Sequence, residues 1–165
     1  MIEPSQLNSK RAQLRKDDQQ LFKQLKKMPD RKLDDLVHQG HHEAFQKIDC
    51  LDCANCCKTT GPLFIENDIS RLAKHLKMKE KHFIESYLRI DEDGDYVLQS
   101  VPCPFLDADN YCGVYDKRPR ACRAYPHTDR VKQKQILKLM KRNSAVCPAV
   151  DYVLDQIRKK LPLNI

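Results

Sequence analysis

At 165 residues and 19.3 kDa, with 41% hydrophobic and 32% charged residues, no Trp and a mean hydropathy of −0.69, the chain has enough apolar content for one modest core and too little for two independent domains. The net charge of +7 makes only a weak case for nucleic acid, because eight thiolates around two divalent ions would bring it to +3. The opening MIEPSQLNSKRAQL has no apolar h-region and no window approaches a membrane span, so a soluble, cytoplasmic chain is expected.

Residues 1–45 read as a helical arm. Leu7, Leu14, Leu21 and Met28 recur every seven residues among Lys10, Arg11, Arg15, Lys16, Lys23, Lys26 and Lys27, which predicts one amphipathic helix ending at Met28-Pro29. Asp18 falls where an apolar residue should, so the heptad does not make a coiled coil. Asp30 is expected to cap a second, short helix through Leu33, Leu36 and Val37 that ends at Gly40. These helices are the surface through which a protein partner would bind.

After the first cysteines, Leu63 to Ile65 read as a short extended piece. Ile69, Leu72, Ala73 and Leu76 make one helical face, and Phe83, Ile84, Tyr87 and Leu88 another. Asp93-Gly94 predicts a hairpin between Leu88–Ile90 and Tyr96–Leu98. DEDGD and DADN resemble calcium loops but carry Pro102 and Arg118 where the closing acid is needed. A helix from Val131 to about Met140 and another through Val150, Val153, Leu154, Ile157 and Leu161 complete the chain. The fold class is therefore mainly α, α+β by virtue of one short hairpin, as a small Cys-rich domain organised around a metal centre. The expected division is an arm at 1–45, a metal-binding core at 46–150 and a helix at 151–165 packed on that core.

The cysteines carry the chemistry. CLDCANCC places Cys50, Cys53, Cys56 and Cys57 within eight residues. In a reducing compartment such density points to metal or catalysis rather than disulfides. A C-x2-C pair lets two thiolates converge on one ion, and two such steps plus an adjacent Cys exceed the needs of one zinc knuckle. Cys50, Cys53 and Cys56 share the C-x2-C-x2-C rhythm of ferredoxin-type iron–sulfur ligation, and Cys103-Pro104 and Cys147-Pro148 are available as a distant fourth ligand. With Cys103, Cys112, Cys122 and Cys147 the total is eight, enough for two four-thiolate sites or one shared cluster. Neighbouring side chains point apart in extended backbone, so Cys56 and Cys57 could serve different metals. His38, His41, His42 and His127 are further candidate ligands for a mixed site.

CLDCANCC, then PCPFL, then YCGVYDKRPRACRAYP resemble the CxxCxxCC cysteine-cluster family, the YkgJ-like proteins described as zinc- or iron-chelating domains, over about residues 48–148. The resemblance implies Cys50, Cys53, Cys56, Cys57, Cys103, Cys112 and Cys122 as cluster residues, with Cys147 as a late cysteine. It extends through Arg118, Pro119, Cys122, Arg123, Tyr125 and Pro126, and departs at His127, where an aromatic such as Phe is expected.

Arg118, Arg120 and Arg123 flank Cys122, where guanidinium charge would favour the thiolate and fork geometry would suit an anionic ligand. Arg118, Arg123 and Tyr125 are accordingly the candidates for supporting a cofactor, and Tyr115, Tyr125, Phe105 and Leu106 for an apolar wall around it. The function expected is metal binding, of zinc or of iron, the latter including an iron–sulfur cluster. One alternative is a metal-dependent redox or group-transfer enzyme, since flagellin lysine methylases have a related cluster; no Gly-rich nucleotide loop or Ser/His/Asp signature supports it. The other is a zinc-dependent nucleic-acid module using the basic stretches 10–27 and 130–142, which the lack of C2H2 spacing and of an RNP-like aromatic stripe disfavours.

Overall fold

The computed structural model describes residues 2–161. A 3-10 turn at Pro4–Gln6 leads into α1 (Leu7–Gln13), α2 (Arg15–Lys27) and α3 (Asp30–Phe45), then α4 (Cys50–Cys53) and α5 (Asn55–Thr59). Next come β1 (Leu63–Phe64), α6 (Glu66–His75), α7 (Glu80–Tyr87), β2 (Leu88–Ile90) and β3 (Tyr96–Leu98). A 3-10 turn at Tyr115–Lys117 precedes α8 (Arg120–Ala124), and another at Gln133–Ile136 precedes α9 (Leu137–Asn143) and α10 (Pro148–Lys160). The fold is mainly α with one small antiparallel sheet. Among the described residues no helix is long and apolar enough to cross a membrane. The chain divides into two compact units, one made of Met1–Asp49 with Pro126–Ile165 and the other of Cys50–Tyr125.

In the unit built from both ends of the chain, α3 packs along α10. Leu21 and Leu25 of α2, Leu33 and Val37 of α3, and Val150, Val153, Leu154 and Ile157 of α10 are all buried. Each such side chain contributes roughly 1.5–3 kcal/mol by leaving water. The single helix expected from Leu7 to Met28 is broken at Leu14 (φ −87°, ψ 13°). Both pieces are tied to α10 by ion pairs. Lys10 and Arg11 of α1 bind Asp151, and Arg158 binds Asp18 of α2 at 2.6 Å. Asp18, anomalous in the heptad, is buried because Arg11 also meets it, at 3.2 Å.

Met28 is extended (ψ 145°), as a residue before proline must be, and α2 stops there. Asp30 is the first helical residue of α3 and Pro29 occupies the cap position, so the expected Asp cap is corrected. So is the helix end at Gly40, because α3 continues to Phe45. A Cβ at Gly40 would sit 3.3 Å from Val153 Cα, Cγ1 and Cγ2. That glycine serves a close helix crossing, not a terminus. The helix expected from Val131 also starts later, since Lys132 is left-handed (φ 61°) and a 3-10 turn precedes α9.

In the unit Cys50–Tyr125 the strand order is β1-β3-β2, with Leu63 opposite Val97 and Leu88 opposite Leu98. The β2–β3 turn closes where Asp91 Oδ1 accepts the N–H groups of Asp93 (3.0 Å) and Asp95 (2.9 Å), and Gly94 supplies the positive φ of 83°. Phe64, Ile69, Leu72, Ala73, Phe83, Leu88, Leu98 and Val114 form its core, and Cys103, Phe105 and Cys112 pack against them.

Candidate metal centre

CLDCANCC folds as two short helical turns. Cys50 and Cys53 bound α4, Ala54 turns left-handed (φ 48°), and α5 then carries Cys56 and Cys57. The adjacent pair is thus helical, not extended, and the Cys56 thiol hydrogen-bonds to the Cys57 sulfur. Two hydrogen bonds tie the segment of the later cysteines to it. The Cys103 N–H donates to the Cys57 carbonyl at 2.8 Å, and Asn110 Nδ2 donates to the Asp52 carbonyl at 2.9 Å. Asp107 N–H donates to Tyr111 O at 2.8 Å, and a β-bridge joins Leu106 to Cys112, so the DADN segment is a tight loop returning Cys112 towards Cys103.

Cys122 sits in α8, whose position is set from α6. Asp68, 1% exposed, accepts the Arg120 N–H at 3.1 Å and the Arg71 guanidinium at 2.6 Å. Arg71 in turn donates to the carbonyls of Lys117 (3.2 Å) and Arg118 (3.0 Å). Sequence reasoning passed over Asp68 and Arg71. The available signal was an acid in the first turn of an amphipathic helix, where its carboxylate also accepts the Ile65 N–H at 3.3 Å.

Cys57, Cys103 and Cys112 are close enough for their charge to act on Cys122, as Cys57 and Cys112 do on Cys103 and Cys57 does on Cys112. The hydrogen bond from Cys56 lowers the Cys57 thiol to about 7, against the opposing effect of burial, with Lys58 helping. Burial pushes Cys103 up to about 11 and Cys122 up to about 12, and the neighbouring sulfurs add to both. Cys112 is raised by burial too. Arg118 opposes this at Cys112 and Cys122. Its guanidinium lies 3.8 Å from the Tyr115 ring centroid, and Nη1 donates to Tyr115 O at 2.6 Å. Arg123 is exposed on α8 and Tyr125 follows that helix, half-buried. Phe105 faces the core instead, stacked on Phe83 at 6.2 Å and tilted against Tyr87 at 4.9 Å between ring centroids.

The remaining candidates belong to the other unit. Cys147 is buried at the N-cap of α10. His38 Nε2 meets the Arg130 carbonyl at 2.8 Å and His41 Nδ1 meets Thr128 Oγ1 at 2.8 Å, so both tie α3 to the segment before α9. His127 has a positive φ of 67° and, like His41, a pKa lowered chiefly by burial.

Cysteine thiols, soft and anionic when ionised, suit zinc or iron. Among the described residues no group of three His, Cys, Asp or Glu side chains already stands at metal-holding distance. The fit therefore rests on donor chemistry. Residues 49–148 match the CxxCxxCC family model, whose description is "Putative zinc- or iron-chelating domain". No curated protein and no solved structure matches the chain.

Proposed function

Because the chain belongs to the CxxCxxCC family of zinc- or iron-chelating domains, we propose that it binds zinc or iron through cysteine thiolates gathered in the unit Cys50–Tyr125. Cys57, Cys103, Cys112 and Cys122 are the central donors, and Cys50, Cys53 and Cys56 on α4 and α5 are the further ligands. The observation that carries this reading is the convergence of separate stretches of chain: the Cys103 N–H bonds the Cys57 carbonyl at 2.8 Å, the Leu106–Cys112 bridge returns Cys112 towards Cys103, and Asp68 fixes the helix that bears Cys122. Cys103, Cys112 and Cys122, part-buried and raised further by the neighbouring sulfurs, are unfavourable as bare thiolates and favourable around a cation. Such thiols bind as thiolates, so metal uptake releases protons and weakens as pH falls. Arg118 offsets part of the negative charge that several thiolates would leave. Arg123 on α8 adds positive charge nearby, and Tyr125 just after that helix supplies an aromatic wall.

The test is metal and acid-labile sulfide content, with an absorption spectrum, on protein purified without oxygen. Iron with matching sulfide and visible absorption identifies an iron–sulfur centre; colourless, stoichiometric zinc identifies a zinc site. Cys122→Ser should lower metal content and the melting temperature together, because metal binding contributes folding free energy. Full metal content in both Cys122→Ser and Cys57→Ser would overturn the assignment. Cys147→Ser is read separately, and an unchanged metal content there assigns Cys147 to packing.

A further inference from the structure

The positive charge of the chain is segregated. Cys50–Tyr125 carries 11 Lys and Arg against 12 Asp and Glu, a formal −1, whereas Met1–Asp49 with Pro126–Ile165 carries 19 against 11, a formal +8. The basicity is therefore not local compensation for the cysteine cluster. Four of those nineteen cations line, and a fifth adjoins, a trough of about 280 Å³ between α2 and α9. Phe22 and Leu137 form the floor, and Lys23, Lys26, Lys138 and Lys141 stand along the sides. Arg142 continues the same surface beyond Lys138 and Lys141.

Among the described residues, none of these five cations makes an ion pair and no carboxylate lines the trough. Lys23 and Lys26 lie three residues apart on one helix, as do Lys138 and Lys141 on the other, which spaces each pair by roughly 4.5 Å along its axis. Four uncompensated lysines in one concavity, with Arg142 beside them, repel one another. An anion that spans them relieves that repulsion.

The occupant follows from what the trough lacks. Phe22 is 7% exposed and Leu137 3%, so the floor offers little apolar area to anchor a partner helix. A concave basic surface also does not lie against a flat lipid face. What remains is a series of oxyanions presented along a thin chain. We infer that the α2–α9 trough binds a single nucleic-acid strand through its phosphates, without reading base sequence. No aromatic ring is exposed there for stacking, so affinity is electrostatic and RNA and DNA of equal length bind alike.

The test uses the full chain and fluorescently labelled 20-nucleotide oligo-U and oligo-dT, titrated by anisotropy from 50 to 200 mM salt. Three to five phosphate contacts predict a slope of log K against log salt of about −2 to −3.5, at roughly −0.7 per contact. Lys138→Glu with Lys141→Glu should weaken binding at least tenfold, on the order of 1.4 kcal/mol or more, and flatten the slope. Lys159→Glu with Lys160→Glu, exposed on α10 and equal in net charge, should change affinity less than threefold by comparison, about 0.6 kcal/mol. All four positions are exposed, so the folded state should survive, and a melting curve on each variant verifies it. No binding at 50 mM salt, a slope near zero, or equal losses in the two double variants overturns the inference. Tighter binding to poly-glutamate or to anionic vesicles than to either oligonucleotide overturns it in favour of a protein or lipid occupant.

Discussion

Asp18 illustrates how a residue that violates a pattern can be required by it. Its side chain is 4% exposed and receives both Arg11 and Arg158, themselves 9% and 16% exposed. Such a cluster is costly to desolvate, and removing one member costs more than the pair contributes. Asp18→Ala should therefore lower unfolding free energy by about 3 kcal/mol in denaturant titration, the lower end of the range for broken buried pairs, because Asp151 and Asp155 still hold the two arginines. An effect within about 0.5 kcal/mol would mean that the cluster is an ordinary surface contact. His41 supplies a pH dependence. Burial, with His42 and His38 adding to it, lowers its pKa below 6.5 despite Asp129. The folded form thus favours the neutral ring. Its stabilisation is complete above about pH 6.5 and is lost as pH falls through the lower folded-state value. The stability difference between the native chain and His41→Gln should accordingly shrink from pH 7.5 to 5; a constant difference would remove His41 from the account.

At the scale of elements, the α3–α10 crossing is the contact on which substitution should tell most clearly. Gly40→Val places methyls against Val153 where even a Cβ reaches 3.3 Å, including contact with backbone Cα. The expected destabilisation is about 1–3 kcal/mol, read as a drop in melting temperature. Gly40→Ala should be milder, because up to about 1 kcal/mol of helix propensity offsets part of the crowding. The same glycine marks the limit of sequence reading. A terminator and a close-packing glycine look alike along the chain, and only the partner helix, more than a hundred residues away, distinguishes them. Local signals were legible: Met28-Pro29 did end a helix, and Asp93-Gly94 did close the hairpin with Leu88 opposite Leu98. The break at Leu14 and the pairing of β1 with β3 were not, since each depends on residues distant in sequence. At the candidate centre, the density of CLDCANCC announced metal chemistry. The role of Asp68 in fixing α8 was hidden, because an acid at that helix position is also an ordinary favourable charge.

For the whole molecule, charge and chemistry are sorted into different units: thiols dominate the nearly neutral one, and lysines the basic one. The basic unit is also discontinuous, with Cys50–Tyr125 inserted between its two segments. That topology has a consequence for biosynthesis. When Asp49 is made, Leu21, Leu25, Leu33 and Val37 already exist, but the residues of α10 that complete their unit do not. About 110 further residues must be added first, which takes roughly 5–20 s at 5–20 residues per second. Throughout that interval the apolar faces of α2 and α3 lack their last helix. The cysteine-bearing unit, being contiguous, is fully synthesised before then and can fold and meet its metal while the rest of the chain is still unfinished.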